Sequence, residues 1–271
     1  MTDKESAVLL RPRDTGVTDG VTEVVLNRPD KRNAFDDGII QQLISALEKV
    51  NADDNTNIVI LRSEGRHFSA GADLGWMRRM ADSSRQENLD DSRELARLMN
   101  VLNHLSKPVI GLVQGAAFGG AVGLAACCDI VLATEKASFC LSEVRLGLIP
   151  AVISPYVVRA IGERQARRYF ITAEVFTARQ AEHFGLVHDV CEDVAAMDHR
   201  CDELLQQLTL NGPEAMQAAK DLVFAVSHKV IGKDVIDDTA QRIADIRVGA
   251  EGQEGLSAFL NKRKANWVPE E

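Results

Sequence analysis

Glu143 stands in FCLSEVRLGLIP (139–150), a carboxylate set in a predominantly apolar run. Desolvation in such surroundings raises a carboxyl's pKa toward the range useful for moving protons, although a surface salt bridge would suit the same residue. Upstream, GAAFGGAVGLAACCD (115–129) places Gly119-Gly120 where an apolar strand-like run gives way to a helix-like patch of small residues. A glycine pair at a helix start can present N–H groups and the positive end of the helix dipole to an oxygen; close packing of helix on sheet would use the same pair. HFSAGADLGWMRRM (67–80) adds a second small-residue turn, Ala70-Gly71-Ala72, ahead of Asp73, a candidate helix cap. Taken alone, that segment fits an ordinary tight strand-to-helix turn. Two backbone N–H groups aimed at one carbonyl make an oxyanion hole, where each donor is worth ~3 kcal/mol of barrier. Gly123, one turn into the helix, reads as a side chain left out.

These segments need strands and helices to bring them together. Alternation of apolar residues predicts strands near 6–12 and 20–27, with turn residues between them. Asp36-Asp37 can cap a helix whose apolar face is Ile39, Ile40, Leu43, Leu47 and Val50. NIVILRS (57–63), PVIGLVQG (108–115) and DIVLAT (129–134) are short apolar runs suited to buried parallel strands. Helices are expected over 85–105 and 120–128, and HFGLVH (183–188) reads as a helix end leading into a strand. The alternation makes an α/β core, and in such sheets ligands gather beyond the carboxyl ends of the strands. From about 194 the pattern is helical only: 194–209, 213–227 (with Pro213 at a helix start), 234–249 and 253–263. The expected division is therefore a core over 1–193 and a helical region over 194–271.

Composition narrows the function classes. The 271 residues are 45% hydrophobic and 26% charged, as in an ordinary globular protein. No apolar run reaches membrane-span length, and MTDKESAVLL lacks a signal-peptide pattern, so neither membrane association nor export is expected and the cytoplasm is the expected location. A formal net charge of −9 argues against a nucleic-acid partner; an anionic ligand would need a local basic patch. The five cysteines, Cys127, Cys128, Cys140, Cys191 and Cys201, form no CxxC and suit free thiols in a reducing compartment. No histidine or cysteine spacing suggests a metal site.

As an ordered set, NRPDKRNAF, FSAGADL, KPVIGLVQGAAFGGAVGLAACCDI, SEVRLGLIP, TARQAEHFGLV and GLSAFLNKRK resemble the enoyl-CoA hydratase/isomerase (crotonase) superfamily from about residue 20 to the C-terminus. Within it, GADLGWMRRMA and CLSEVRLGLIPAVISPYV resemble the branch that hydrates methylglutaconyl-CoA in leucine degradation and the related carboxygeranoyl-CoA. The resemblance implies a ββα-spiral core with C-terminal helices that form trimers, often paired into hexamers. It assigns the thioester oxygen to the backbone N–H groups of Ala70 and Gly120, and acid–base work to Glu143. Ala70, Gly71, Ala72, Asp73 and Leu74 would line the adenine pocket of coenzyme A, with Lys31, Arg32, Lys262 and Lys264 as phosphate contacts. Coenzyme A arrives as part of the substrate, so no separate cofactor is implied. Hydratases of this superfamily usually carry the first of two catalytic glutamates where this chain has Gly123.

One carboxylate leaves two chemistries open. It can take a proton from water and return it to the same face of an enoyl thioester, or it can shuttle a proton between carbons and so move the double bond. The sequence likeness favours the hydratase. A distal substrate carboxylate would call for a cation, with Arg78, Arg79 and Arg145 as candidates, and Trp76 and Tyr156 can line an acyl pocket or fill core. The space at Gly123 is expected to hold water or substrate. A non-catalytic or RNA-binding member of the superfamily is a third possibility, disfavoured by the charge and by the retained oxyanion segments.

Overall fold

The computed structural model describes residues 6–13 and 20–268. Its larger sheet has six strands in the order β1 (Val8–Pro12), β2 (Val21–Leu26), β3 (Ile58–Ser63), β4 (Val109–Val113), β6 (Ile130–Thr134) and β9 (Asp189–Cys191). The β1/β2 pair is antiparallel and the rest are parallel; the link over 14–19 lies outside the described residues. A smaller sheet joins β5 (Ala116–Phe118), β7 (Ser138–Cys140) and β8 (Phe176–Thr177).

The helices complete a repeated strand–strand–helix turn. After β2 the chain makes a bridge at Phe35 and enters α1 (Asp37–Ala52); after β3 it makes bridges at Ser69 and Ala72 and enters α2 (Leu74–Asp82) and α3 (Arg85–Asn103). After β4 come β5 and α4 (Gly120–Cys127), and after β6 come β7 and α5 (Ser154–Thr172). Each turn thus gives one strand to the large sheet, one extended segment to the small layer and a helix outside. The expected helix cap at Asp36 is present, its carboxylate accepting from Ile39 N–H at 2.9 Å.

The parallel strands are buried on both faces, as their apolar runs require. Val59, Leu61, Val109 and Val113 face a core shared with α1, α3 and α4. Ile58, Ile60, Ile110 and Leu112 face the other way, against Met197, Cys201 and Leu205 of α7 (Val194–Leu208). The helix that begins at the expected boundary near 193 therefore covers the second face of the sheet, and Arg13 and Arg62 bind its Asp198 and Asp202. Beyond it, α8 (Pro213–Val226), α9 (Lys233–Val248) and α10 (Ala250–Leu260) pack on one another. Lys220 ties α8 to the sheet by donating to Asp129 at 2.7 Å and to the Lys107 carbonyl at 3.1 Å.

Two helices between β7 and β9 carry no clear apolar period in the sequence: α5 and α6 (Ala178–Phe184). Gly162, at φ 75°, kinks α5 and breaks its register. All five cysteines are free thiols; burial pushes their pKa values up, to about 12 for Cys201. Among the described residues no helix is long and apolar enough to cross a membrane.

Candidate active site

The chemistry-bearing segments converge where the small layer meets α4. Glu143 opens a short 3-10 turn (Glu143–Leu146) just after β7. One of its carboxylate oxygens lies 3.5 Å from where a Cβ on Gly119 would sit. The other is buried with no hydrogen-bond partner. Burial raises the Glu143 pKa above the ordinary 4.5, and what opposes the shift among the described residues is its own backbone N–H rather than a cation. A salt bridge, the alternative open to the sequence, is not formed among the described residues.

The two glycines before Glu143 do different things. Gly119 has φ 54° and ψ −122°, a backbone that a side chain resists, and donates its N–H to the Cys140 carbonyl at 2.8 Å. That bond fixes the start of α4 on the strand leading to Glu143. Gly120 is the first residue of α4, so its N–H has no partner within the helix and carries the positive end of the dipole.

The N–H expected as the second donor, that of Ala70, is not open. The Ala70 N–H is already donated to the Arg32 carbonyl at 2.9 Å. Phe35 N–H donates to the Gly71 carbonyl and Asp73 N–H to the Phe35 carbonyl, at 2.7 and 2.6 Å. In that parallel bridge the intervening residue, Ala72, turns its own N–H away from Phe35. Ala72 is exposed, and among the described residues its N–H makes no backbone hydrogen bond. Of these two residues, it is Ala72 rather than Ala70 whose N–H is left without a backbone acceptor among the described residues. Gly71, at φ 91°, allows the loops to meet: a Cβ there would lie 3.1 Å from the Phe118 carbonyl.

The remaining residues of the expected site are placed as follows. Asp73 caps α2, accepting from Gly75 and Trp76 N–H at 2.8 and 3.2 Å, and Leu74 is exposed. Lys31 and Arg32 are exposed on and just after a 3-10 turn (Pro29–Lys31), and Lys262 and Lys264 are exposed just beyond α10. Arg79 is paired with Asp37, and Arg145 donates to the Ala173 carbonyl, each at 2.6 Å. Both thus have a partner already, whereas Arg78 is exposed and makes no hydrogen bond or ion pair among the described residues. Trp76 is buried, its indole N–H donating to Asp91 at 3.0 Å, and Tyr156 is half-buried against the main core.

Gly123 overturns one expectation. It leaves no space for water or substrate: a Cβ there would lie 2.3 Å from Ile153 Cγ2 and 3.2 Å from Met99 Sδ. Ile153, in the loop before α5, is itself buried. Thirty positions separate the two residues, so only the fold reveals the substitution of one bulk for another.

The chain is similar to known proteins of one family. The enoyl-CoA hydratase/isomerase family model matches residues 16–270. The chain is 33% identical over 241 residues to the 2,3-dehydroadipyl-CoA hydratase of Escherichia coli K12, covering 89% of this chain and 92% of that one. An enoyl-CoA hydratase structure from Shewanella pealeana superposes with TM-score 0.92 at 47% identity, covering 98% and 97% of the two chains. Pseudomonas aeruginosa AtuE superposes with TM-score 0.91 at 36% identity, covering 97% and 100%.

Proposed function

Since the chain belongs to the enoyl-CoA hydratase/isomerase family, we propose that it adds water across the conjugated double bond of an acyl-CoA thioester, with Glu143 as the single acid–base group. The observation that carries this reading is the Glu143 carboxyl beside the start of α4, one oxygen of which is buried without a hydrogen-bond partner. The carboxylate takes a proton from water as the hydroxide oxygen bonds to Cβ and the π electrons move to the thioester oxygen. Ala72 and Gly120 N–H hold the resulting enolate charge. Glu143 then returns the proton to Cα on the same face, which restores the thioester and regenerates the carboxylate.

The acyl group we propose is methylglutaconyl, a branched chain with a distal carboxylate, in the cytoplasm. The name of the Escherichia coli relative, a hydratase of a carboxylated enoyl thioester, supports that substrate class, and Arg78 is the arginine left to meet the carboxylate. A panel of enoyl-CoA thioesters, followed by loss of the conjugated thioester absorbance, tests the proposal. Methylglutaconyl-CoA is expected to be turned over faster than crotonyl-CoA; no absorbance loss with any member would reject the reading.

Double-bond isomerisation is the second reading, favoured by Ile153 filling the space of a second carboxylate. The same buried base would lift a proton from one carbon and set it on another, with no water consumed.

A further inference from the structure

Ala72 and Gly120 lie on different loops, and Phe35 meets both. Phe35 N–H donates to the Gly71 carbonyl and its carbonyl accepts from Asp73 N–H, so its backbone grips the residues on either side of Ala72. Its ring lies beside the first residue of α4: a Cβ on Gly120 would stand 3.6 Å from both Cδ2 and Cε2. Phe35 is 2% exposed and set in the main core with Ile39 and Ile40 of α1. A ring in a close-packed core has little freedom to shift. The two loops also meet directly, through the Ser69–Ala117 bridge and the approach of Gly71 to the Phe118 carbonyl. Both of those contacts precede the donors in the chain; at the donors themselves the link runs through Phe35.

The turn that carries Phe35 is itself held. Arg28 N–H donates to Asn33 Oδ1 and Asn33 N–H to the Arg28 carbonyl, both at 2.8 Å. The Arg28 guanidinium donates to Asp36 at 2.6 Å, and its other terminal nitrogen lies 3.8 Å from an Asp73 carboxylate oxygen. Asp36 follows Phe35 and caps α1; Asp73 follows Ala72 and caps α2. One half-buried cation thus holds the residues that follow the two partners of the Phe35–Ala72 bridge, through a charge-assisted bond to the first.

We propose that Phe35 is a positioning residue that sets the spacing of the Ala72 and Gly120 N–H groups, with Arg28 fixing the turn that presents it. The inference rests on the acyl-CoA reading, which gives those N–H groups a thioester oxygen to hold. Misplacing such a group by about 1 Å costs on the order of 10²-fold in rate, and the loss falls on the transition state, where the oxygen carries charge. Phe35→Ala is therefore expected to lower kcat for crotonyl-CoA about 10²-fold with KM little changed. Phe35→Leu and Arg28→Ala should move kcat the same way by less. The direct reading is the infrared carbonyl stretch of crotonyl-CoA labelled with ¹³C at the thioester carbonyl, bound to Glu143→Gln protein so that it is not consumed. Two donors polarise the carbonyl and lower its stretch below that of the free thioester; adding Phe35→Leu or Phe35→Ala should return it part of the way. A variant that is only less stable keeps the parent's stretch below its Tm, so the stretch separates positioning from stability. Should Phe35→Ala not fold, Phe35→Leu and Arg28→Ala carry the same test. An unchanged stretch and kcat in the folded variants would overturn the proposal. Amide hydrogen exchange of the ligand-free protein reads the loops without any thioester: 70–74 and 118–122 should both exchange faster in the Phe35 variants. Faster exchange, with no turnover of any enoyl-CoA by the wild-type protein, would keep the positioning role and reject the hydratase reading. Turnover and a lowered stretch, both indifferent to the Phe35 variants, would do the reverse.

Discussion

Glu143 carries both a cost and an activity, and pH separates them. Its pKa is raised on folding, so the fold is most favoured, as far as this group is concerned, below the ordinary value of 4.5. That contribution is lost as pH rises through the raised value, where a desolvated charge must form. Glu143→Gln is therefore expected to raise Tm at pH 7, with the gain shrinking toward pH 4; scanning calorimetry at the two pH values measures it. The same substitution should lower kcat by roughly 10²-fold or more and abolish the acid limb of the pH–rate profile, whose apparent pKa in the wild-type protein should lie above 4.5. Gly123→Glu alone is expected to destabilise the protein, since overpacking a core costs about 1–3 kcal/mol and Ile153 occupies the space. Adding Ile153→Gly should recover much of that loss in urea unfolding; equal stability of the single variant and wild type would show that Ile153 does not hold the space. Glu143 was legible because its apolar neighbours are contiguous with it in the chain. Ala72 was not, because which N–H stays open depends on hydrogen bonds made by Arg32 and Phe35.

The large sheet could be read from the sequence because each parallel strand is a short apolar run buried on both faces. The small sheet could not: β5 and β7 have three residues each and β8 two, too few to show a period. Yet this small layer positions the chemistry, through the bond from Gly119 N–H to Cys140 and the approach of Gly71 to Phe118. The glycine pair was legible as a pair, but its division of labour was not. Gly119→Ala should cost about 1–3 kcal/mol of stability, the usual range for a strained backbone, although its Cβ would meet Glu143 at an ordinary 3.5 Å. Gly120→Ala should leave stability near wild type, because its Cβ would meet the Phe35 ring at an ordinary 3.6 Å. Urea unfolding of the two variants checks the contrast, and similar losses in both would refute it.

The described chain leaves apolar side chains uncovered on its last three helices: Val223, Ile236, Phe259 and Leu260 are each more than half exposed. Such a patch calls for a partner surface, and we propose a trimer or hexamer, with light scattering at micromolar concentration expected to show no monomer. The helix that follows the expected division at 193, α7, covers the sheet, and a helix read alone does not reveal which face receives it. The assembled reading makes water a reactant and Glu143 its sole activator, which labelled water examines in one experiment. With an enoyl-CoA in H₂¹⁸O, mass spectrometry should find the product thioester heavier by one molecule of labelled water, formed at least about 10²-fold more slowly by Glu143→Gln. A product of unchanged mass, or an undiminished rate of labelled product from Glu143→Gln, would contradict it.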